Sequence, residues 1–283
     1  MFKSIINEFN AIVETMPYKT ACIWFDANNH CRQYTFAEFN NLTRHLAKKL
    51  IDDLGLQPGD TVAALFRHDA GYILTAFACW RAGLIYTPLS LRWSTEKNRT
   101  RIIDTEANCL LTESSLTLLG DVEIPIFAVD DIYHLSNEAC IHEDFPLSVD
   151  TVAMKYGSSG TTKKSKIISI FHEALFHRVN CIVDKMQITS EDVVLGLMDA
   201  GFDASLCEWL MAFLSGATLL FAPTGILENV AYELAEFLRA APVKVTTAIL
   251  LPSILKGITA NGINPEDLYS IKKILTTGSA IKR

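Results

Sequence analysis

No run of apolar residues in this sequence reaches the roughly 20 that a helix needs to span a bilayer. The longest, Trp209 to Pro223, is broken by Ser215-Gly216. The N-terminus, Met1-Phe2-Lys3-Ser4-Ile5-Ile6-Asn7-Glu8, has no long apolar region after its lysine, so neither a membrane partner nor a secretion signal is expected. Cationic excess is also missing. The chain has 25 Lys and Arg against 32 Asp and Glu, a formal net charge of −7, and no basic stripe, which argues against nucleic acid as a partner. Cysteine pairing has little support, because Cys22, Cys31, Cys79, Cys109, Cys140, Cys181 and Cys207 are odd in number, scattered and free of C-x-x-C spacing. They read as reduced, mostly buried thiols of a cytoplasmic protein. Repeats and low-complexity tracts are absent, and 49% hydrophobic with 20% charged residues excludes extensive disorder. A soluble chain of 283 residues remains, long enough for one large or two medium lobes.

Several catalytic motifs are missing as well. There is no Walker spacing of Gly before Lys-Ser/Thr and no G-x-S-x-G elbow. His172 and His177 stand five apart, which on a helix separates them by about 140° and rules out a zinc pair. What the chain does carry is Tyr156-Gly157-Ser158-Ser159-Gly160-Thr161-Thr162-Lys163-Lys164-Ser165-Lys166, preceded by an apolar strand and followed, from His172, by a helical stretch. The two glycines allow close backbone approach, the hydroxyls donate hydrogen bonds and the lysines add positive charge. Two readings stand at this point, a phosphate-binding loop and an exposed polar turn.

Helical spacing over residues 4 to 16 is followed by a hairpin (Thr20 to Phe25, a turn at Asp26 to His30, and Arg32 to Thr35) and by a helix opened by the capping box Thr35 to Glu38. Strand Thr61 to Phe66, helix His68 to Trp80 with a left-handed cap at Gly83, strand Leu84 to Pro88, helix Glu96 to Thr105 and strand Asn108 to Thr112 then alternate. That rhythm predicts a parallel sheet covered on both faces. Further strands are expected at Val122 to Val129, Asp150 to Tyr156, Val193 to Leu197, Leu219 to Ala222, Lys244 to Leu250 and Ile274 to Thr276, with helices at His172 to Met186, after Asp203, at Val230 to Ala240 and from Pro252. Asp203, in Gly201-Phe202-Asp203-Ala204-Ser205-Leu206-Cys207-Glu208, reads either as a helix N-cap or as a functional carboxylate.

The Tyr156 to His172 stretch resembles the signature loop of the adenylate-forming (AMP-binding) superfamily, Y-T/S-S-G-T-T-G-x-P-K-G with a later His. Tyr156, Ser159, Gly160, Thr161, Thr162, Lys164, Lys166 and His172 fall on the pattern. Lys163 stands where the family has Gly, Ser165 where it has Pro and Ile167 where it has Gly. Tyr34-Thr35-Phe36-Ala37-Glu38-Phe39, Trp80-Arg81-Ala82-Gly83 with Tyr86, Pro88 and Leu89, and Leu214-Ser215-Gly216-Ala217 resemble other family segments. The F-D-A-S-x-x-E segment resembles amino-acid adenylation domains such as those of nonribosomal peptide synthetases, whose Asp accepts the substrate's ammonium group.

The resemblance implies an α/β fold of stacked, parallel-type sheets flanked by helices, an incomplete N-terminal lobe of an adenylation domain. It places a phosphate-loop sheet at 56–186 and a substrate-pocket sheet at 1–55 with 187–283, and leaves the C-terminal lobe, with its catalytic Lys, absent. It implies ATP and magnesium as cofactors. Ser158, Ser159, Gly160, Thr161, Thr162, Lys164, Lys166 and His172 would hold the nucleotide, with Thr162 also at the metal. Asp203, Ala204, Cys207, Ile249, Leu275 and Thr277 would line the pocket for an amino acid or other carboxylic acid. The implied function is ligase-type adenylation, with little turnover by this chain alone and with a carrier protein or a separate C-terminal half as partner. An acyl- or aryl-CoA synthetase fragment and a non-catalytic interaction module are the alternatives.

Overall fold

The computed structural model describes residues 3–26, 28–116, 122–129, 140, 142–157, 166–223, 226, 230–260 and 268–277. The chain forms two compact units, Met1–Pro17 with Phe36–Arg178 and Tyr18–Thr35 with Val179–Arg283. Each holds a six-stranded sheet flanked by helices.

In the first unit the helices are α1 (Ile5–Thr15), α2 (Phe36–Asp52), α3 (Ala70–Arg81) and α4 (Thr95–Asp104), and the strands are β3 (Thr61–Leu65), β4 (Ile85–Pro88), β5 (Cys109–Thr112), β6 (Ile126–Ala128), β7 (Val152–Gly157) and β8 (Ile167–Phe171). The strand order is β6-β5-β3-β4-β7-β8. Every pairing is parallel except β7 with β8, which is antiparallel. Thr61 to Leu65 and Cys109 to Thr112 are buried along their whole length, as strands covered on both faces must be. Every residue of α3 is buried too, which matches its apolar character on all sides. Asp69 caps it, its Oδ1 accepting from the Gly71 N–H at 2.8 Å. Just past its end Gly83 takes φ +71°, and a Cβ there would stand 2.6 Å from the Phe145 ring. Glycine is therefore required both for the turn and for the close approach.

The lobe boundaries differ from the sequence expectation. Residues 1–17 and 36–55, assigned there to the pocket sheet, belong with the first unit. Their aromatic faces decide it: Phe9 of α1 stacks edge-on to Phe77 of α3 at 4.8 Å and to Phe39 of α2 at 5.8 Å, and Phe39 meets Phe77 at 5.4 Å. A buried guanidinium ties the same helices together. Arg81 donates from Nη1 to both Asp144 oxygens at 2.7 and 2.9 Å, from Nη2 to Asn10 at 3.1 Å and Asn40 at 2.6 Å, and from Nε to Thr43 at 3.0 Å. Burial lowers its pKa to about 10, opposed by Asp144. The fork geometry explains why arginine and not lysine serves here. The indole N–H of Trp80 donates to the Ala153 carbonyl at 2.8 Å and fastens α3 to β7.

In the second unit β1 (Thr20–Phe25) and β2 (Cys31–Thr35) form a hairpin, joined by β9 (Val193–Gly196), β10 (Thr218–Phe221), β11 (Thr247–Ile249) and β12 (Lys273–Leu275). The order is β12-β11-β9-β10-β1-β2, with only the β1–β2 pair antiparallel. Asp26 closes the hairpin by accepting the Asn28 and His30 N–H groups, each at 2.9 Å. The helices are α6 (Asp203–Ser215), α7 (Val230–Ala240) and α8 (Pro252–Ala260). The chain passes from the first unit to the second within α5 (His172–Met186). Among the described residues no helix is long and apolar enough to cross a membrane.

Candidate functional site

The residues singled out in the sequence fall in two places. In the first unit, β7 and β8 pair antiparallel in the register Gly157↔Ile167, so the signature loop connects the two strands of a hairpin. Sequence spacing alone runs the loop directly into the helix at His172. Ser158, Ser159, Gly160, Thr161, Thr162, Lys163, Lys164 and Ser165 lie outside the described residues. Lys166, at the described end of the loop, is exposed. Ile167, which replaces a family glycine, is a strand residue paired with Gly157, and it is absent from the residues with positive φ. A β-branched side chain suits that backbone better than glycine does.

His172 opens α5, and its N–H donates to the Thr151 carbonyl at 3.0 Å. Its ring is fully buried edge-on to Trp80 at 5.6 Å. Neither ring nitrogen has a hydrogen-bond partner among the described residues, and burial depresses its pKa to about 4. Burial disfavours the charged form of this imidazole, which packs against Trp80.

The root of the loop holds a group that the motif does not point to. Arg101 of α4 is buried, and its guanidinium lies 5.1 Å from the Trp93 ring centroid and 5.8 Å from that of Tyr156. A Cβ on Gly157 would collide with that guanidinium. Gly157 is therefore needed for the arginine that passes over it. Nearby, Lys155 donates to the Thr105 carbonyl at 2.7 Å, at the C-terminal end of α4, where a cation is favoured.

In the second unit β9 to β12 run parallel, so their C-terminal ends share one edge, the usual place for ligands in such sheets. At that edge the chain leaves β9 and enters α6. Phe202 occupies the N-cap position with no side-chain cap bond, so Asp203 is the first helical residue and the N-cap alternative for it falls away. Asp203 is exposed. Cys207 follows it at i+4 and Ala204 precedes Cys207 at i−3, and both are buried. Ile249 and Leu275 are register partners at the ends of β11 and β12, and Thr277 follows, half-buried. The structure thus gathers Asp203, Ala204 and Cys207 at the start of α6, and Ile249, Leu275 and Thr277 at the ends of neighbouring strands.

Glu208 shapes this edge. It has no exposed surface, and its Oε2 accepts the Leu197 N–H at 3.1 Å and the Met198 N–H at 2.9 Å, fixing the turn that leads to Asp203. Burial pushes its carboxyl well above the usual range, against the two N–H bonds. The signal for it is the final Glu of F-D-A-S-x-x-E, visible in the sequence without an assigned role. The Asp199 side chain accepts the Gly201 N–H at 2.9 Å and completes the turn. Among the described residues no group of three or more His, Cys, Asp or Glu is placed to hold a metal.

The family model for AMP-binding enzyme matches residues 9–283, and the chain belongs to that family. Among its relatives is Tyrocidine synthase 1 of Brevibacillus parabrevis, 24% identical over 284 residues, 98% of this chain and 24% of that protein. Phosphinothricin tripeptide synthetase PhsC of Streptomyces viridochromogenes is 27% identical over 253 residues, 88% of this chain and 22% of that protein. The chain thus spans about a quarter or less of the length of these relatives. Its fold is that of the N-terminal subdomain of Klebsiella oxytoca NpsA, solved in complex with 3-hydroxyanthranilyl-AMSN, with a TM-score of 0.84 at 22% identity over 100% of this chain and 68% of that one. It also matches NpsA-ThdA, an artificially fused adenylation-PCP di-domain from Klebsiella oxytoca, with a TM-score of 0.82 at 21% identity over 99% of this chain and 53% of that one.

Proposed function

We propose that this chain supplies the nucleotide- and substrate-binding portion of an enzyme that joins a carboxylate to AMP, with an amino acid as the carboxylate. In that reaction the carboxylate and ATP give an acyl-adenylate and pyrophosphate. Asp203 carries the proposal: an exposed carboxylate at the first position of α6, on the edge where β11 and β12 end at Ile249 and Leu275. An ammonium group leaving water for a pocket needs a charged acceptor, and a carboxylate is the natural one. Ala204, Cys207, Ile249, Leu275 and Thr277 are its proposed neighbours and give a moderately apolar lining.

The donor set of the hairpin loop fits a triphosphate with magnesium. Ser158, Ser159, Gly160, Thr161, Thr162, Lys164 and Lys166 would hold phosphate oxygens, and the Thr162 hydroxyl would face the metal. Magnesium, when bound, neutralises phosphate charge. Lys166 and Lys164 add positive charge, and Gly160 lets the backbone approach. His172, buried and neutral, supports the hairpin from the side of Trp80. A carrier protein and a C-terminal portion with the catalytic lysine are the proposed partners of the complete reaction, and the peptide-synthetase relatives support that reading.

The test is ATP–pyrophosphate exchange by the full-length protein with a panel of amino acids and their des-amino analogues. At least one amino acid should support exchange, and Asp203→Ala should reduce it by about a hundredfold or more, as expected when a charged partner is lost from a desolvated pair. Exchange with des-amino acids that is indifferent to Asp203→Ala would turn the reading to an acyl- or aryl-CoA synthetase. No exchange with any acid would leave the non-catalytic module.

A further inference from the structure

We propose that Glu208, with Asp199, positions Asp203 for the substrate's ammonium group: the two side chains fix the turn from β9 into α6 and so set where the Asp203 carboxylate stands. That role rests on the amino-acid reading above and names the residues through which Asp203 becomes selective for an amine.

Helix α6 lacks the usual anchor at its start. Phe202, at the N-cap, makes no side-chain cap bond, and the Ser205 hydroxyl donates to the Phe202 carbonyl at 2.8 Å. The helix is buried on nearly every side, but apolar contact is non-directional. Hydrogen bonds weaken steeply with angle and therefore fix an orientation.

Glu208 and Asp199 supply those directional contacts. Glu208 follows Asp203 by five residues, about 140° around the helix, and its buried carboxyl takes the Leu197 and Met198 N–H groups at 3.1 and 2.9 Å. These residues directly follow β9, a strand held between β10 and β11. The second turn of α6 is thus tied to the interior of the sheet. Asp199 accepts the Gly201 N–H with Oδ1 and the Phe202 N–H with its carbonyl, each at 2.9 Å, which folds the chain directly ahead of Asp203. Burial disfavours the charged form of Glu208 and leaves it to the backbone N–H groups rather than to the ammonium. A bond between ammonium and carboxylate is short, and a displacement of about 1 Å is enough to lose much of it.

The experiment measures ATP–pyrophosphate exchange by the full-length protein with the amino acid it accepts best. It compares the wild type with Glu208→Met, Glu208→Gln, Asp203→Ala and the double variant Asp203→Ala/Glu208→Met. Glu208→Met keeps the bulk and removes both acceptor bonds. It is expected to raise the KM for the amino acid about tenfold, with the KM for ATP within about twofold of wild type. Glu208→Gln, which keeps an oxygen acceptor, should hold the amino-acid KM within about threefold. In the Asp203→Ala background Glu208→Met should cost less than about twofold further, because its effect runs through Asp203. A merely structural role would lower kcat for every substrate and leave both KM values in place, and that result overturns the proposal. A full tenfold loss in the Asp203→Ala background overturns it too, as does a Gln variant as impaired as the Met variant. Exchange that Asp203→Ala leaves intact, or no exchange with any amino acid, means that the amino-acid reading itself has failed, and the positioning role falls with it. If Glu208→Met does not fold, Asp199→Ala, which frees the same turn from its other end, is judged by the same criteria.

Discussion

A carboxyl group without exposed surface must be paired with a cation or stay neutral, and Glu208 has no ion pair among the described residues. Its Oε2 takes two backbone N–H groups and its Oε1 is buried without a hydrogen-bond partner. The folded protein therefore holds the proton more tightly than the unfolded chain, whose glutamate titrates near 4.5. With the folded pKa raised, stability from this group is complete below that unfolded value and declines as pH rises toward the folded one. Melting temperature should fall as pH rises above that unfolded value, and Glu208→Gln, which keeps an oxygen acceptor and cannot ionise, should flatten the slope. Calorimetric scans across that range check it, and parallel profiles for the two proteins would show that Glu208 is not the titrating group. At this scale the sequence displays the residue but not its role. Helix α6 is buried on nearly every side, so spacing cannot tell which face Glu208 takes. Nor can it separate Asp203 as cap from Asp203 as first helical residue, a shift of one position.

Among the elements, the interior parallel strands are the most legible, because Thr61 to Leu65 and Cys109 to Thr112 are apolar throughout and bounded by turns. β8 is not. Ile167-Ile168-Ser169-Ile170-Phe171 follows the Gly, Ser, Thr and Lys cluster and leads without a break into α5, so spacing merges it with the turn. It is an edge strand, with Ile168 51% exposed, and an edge strand lacks the two-sided burial that marks its neighbours. The strand also changes the meaning of Ile167. The departure from the family glycine falls at a paired, extended position, where glycine would cost conformational entropy. Restoring the family residue, Ile167→Gly, should lower the stability to urea by about 1 kcal/mol and leave ATP affinity unchanged. A several-fold gain in ATP affinity would instead mean that Ile167 restrains the loop.

For the whole molecule, the AMP-binding resemblance reaches the fold class, yet it misplaces the opening helices. Amphipathic spacing in residues 4 to 16 and 36 to 50 shows that each helix buries a face but not against which sheet. The cluster of Phe9, Phe39 and Phe77 and the Arg81 network settle that for the first unit. What remains for the second unit is an inserted hairpin, Tyr18–Thr35. Its β1 pairs with β10 through Cys22↔Leu219 and Ile23↔Leu220, and Ile23 enters the unit's core with Leu220 and Leu195. Residues 179–283 without this hairpin would expose the apolar edge of β10 to solvent, a template for association between chains. Expressed alone, that segment should aggregate or lack a cooperative melt. The same segment with residues 18–35 fused ahead of it through a flexible linker should gain solubility and a cooperative transition, read by size-exclusion chromatography and circular dichroism. A soluble, cooperatively unfolding 179–283 would show that the hairpin is an ornament on a sheet that closes its own core.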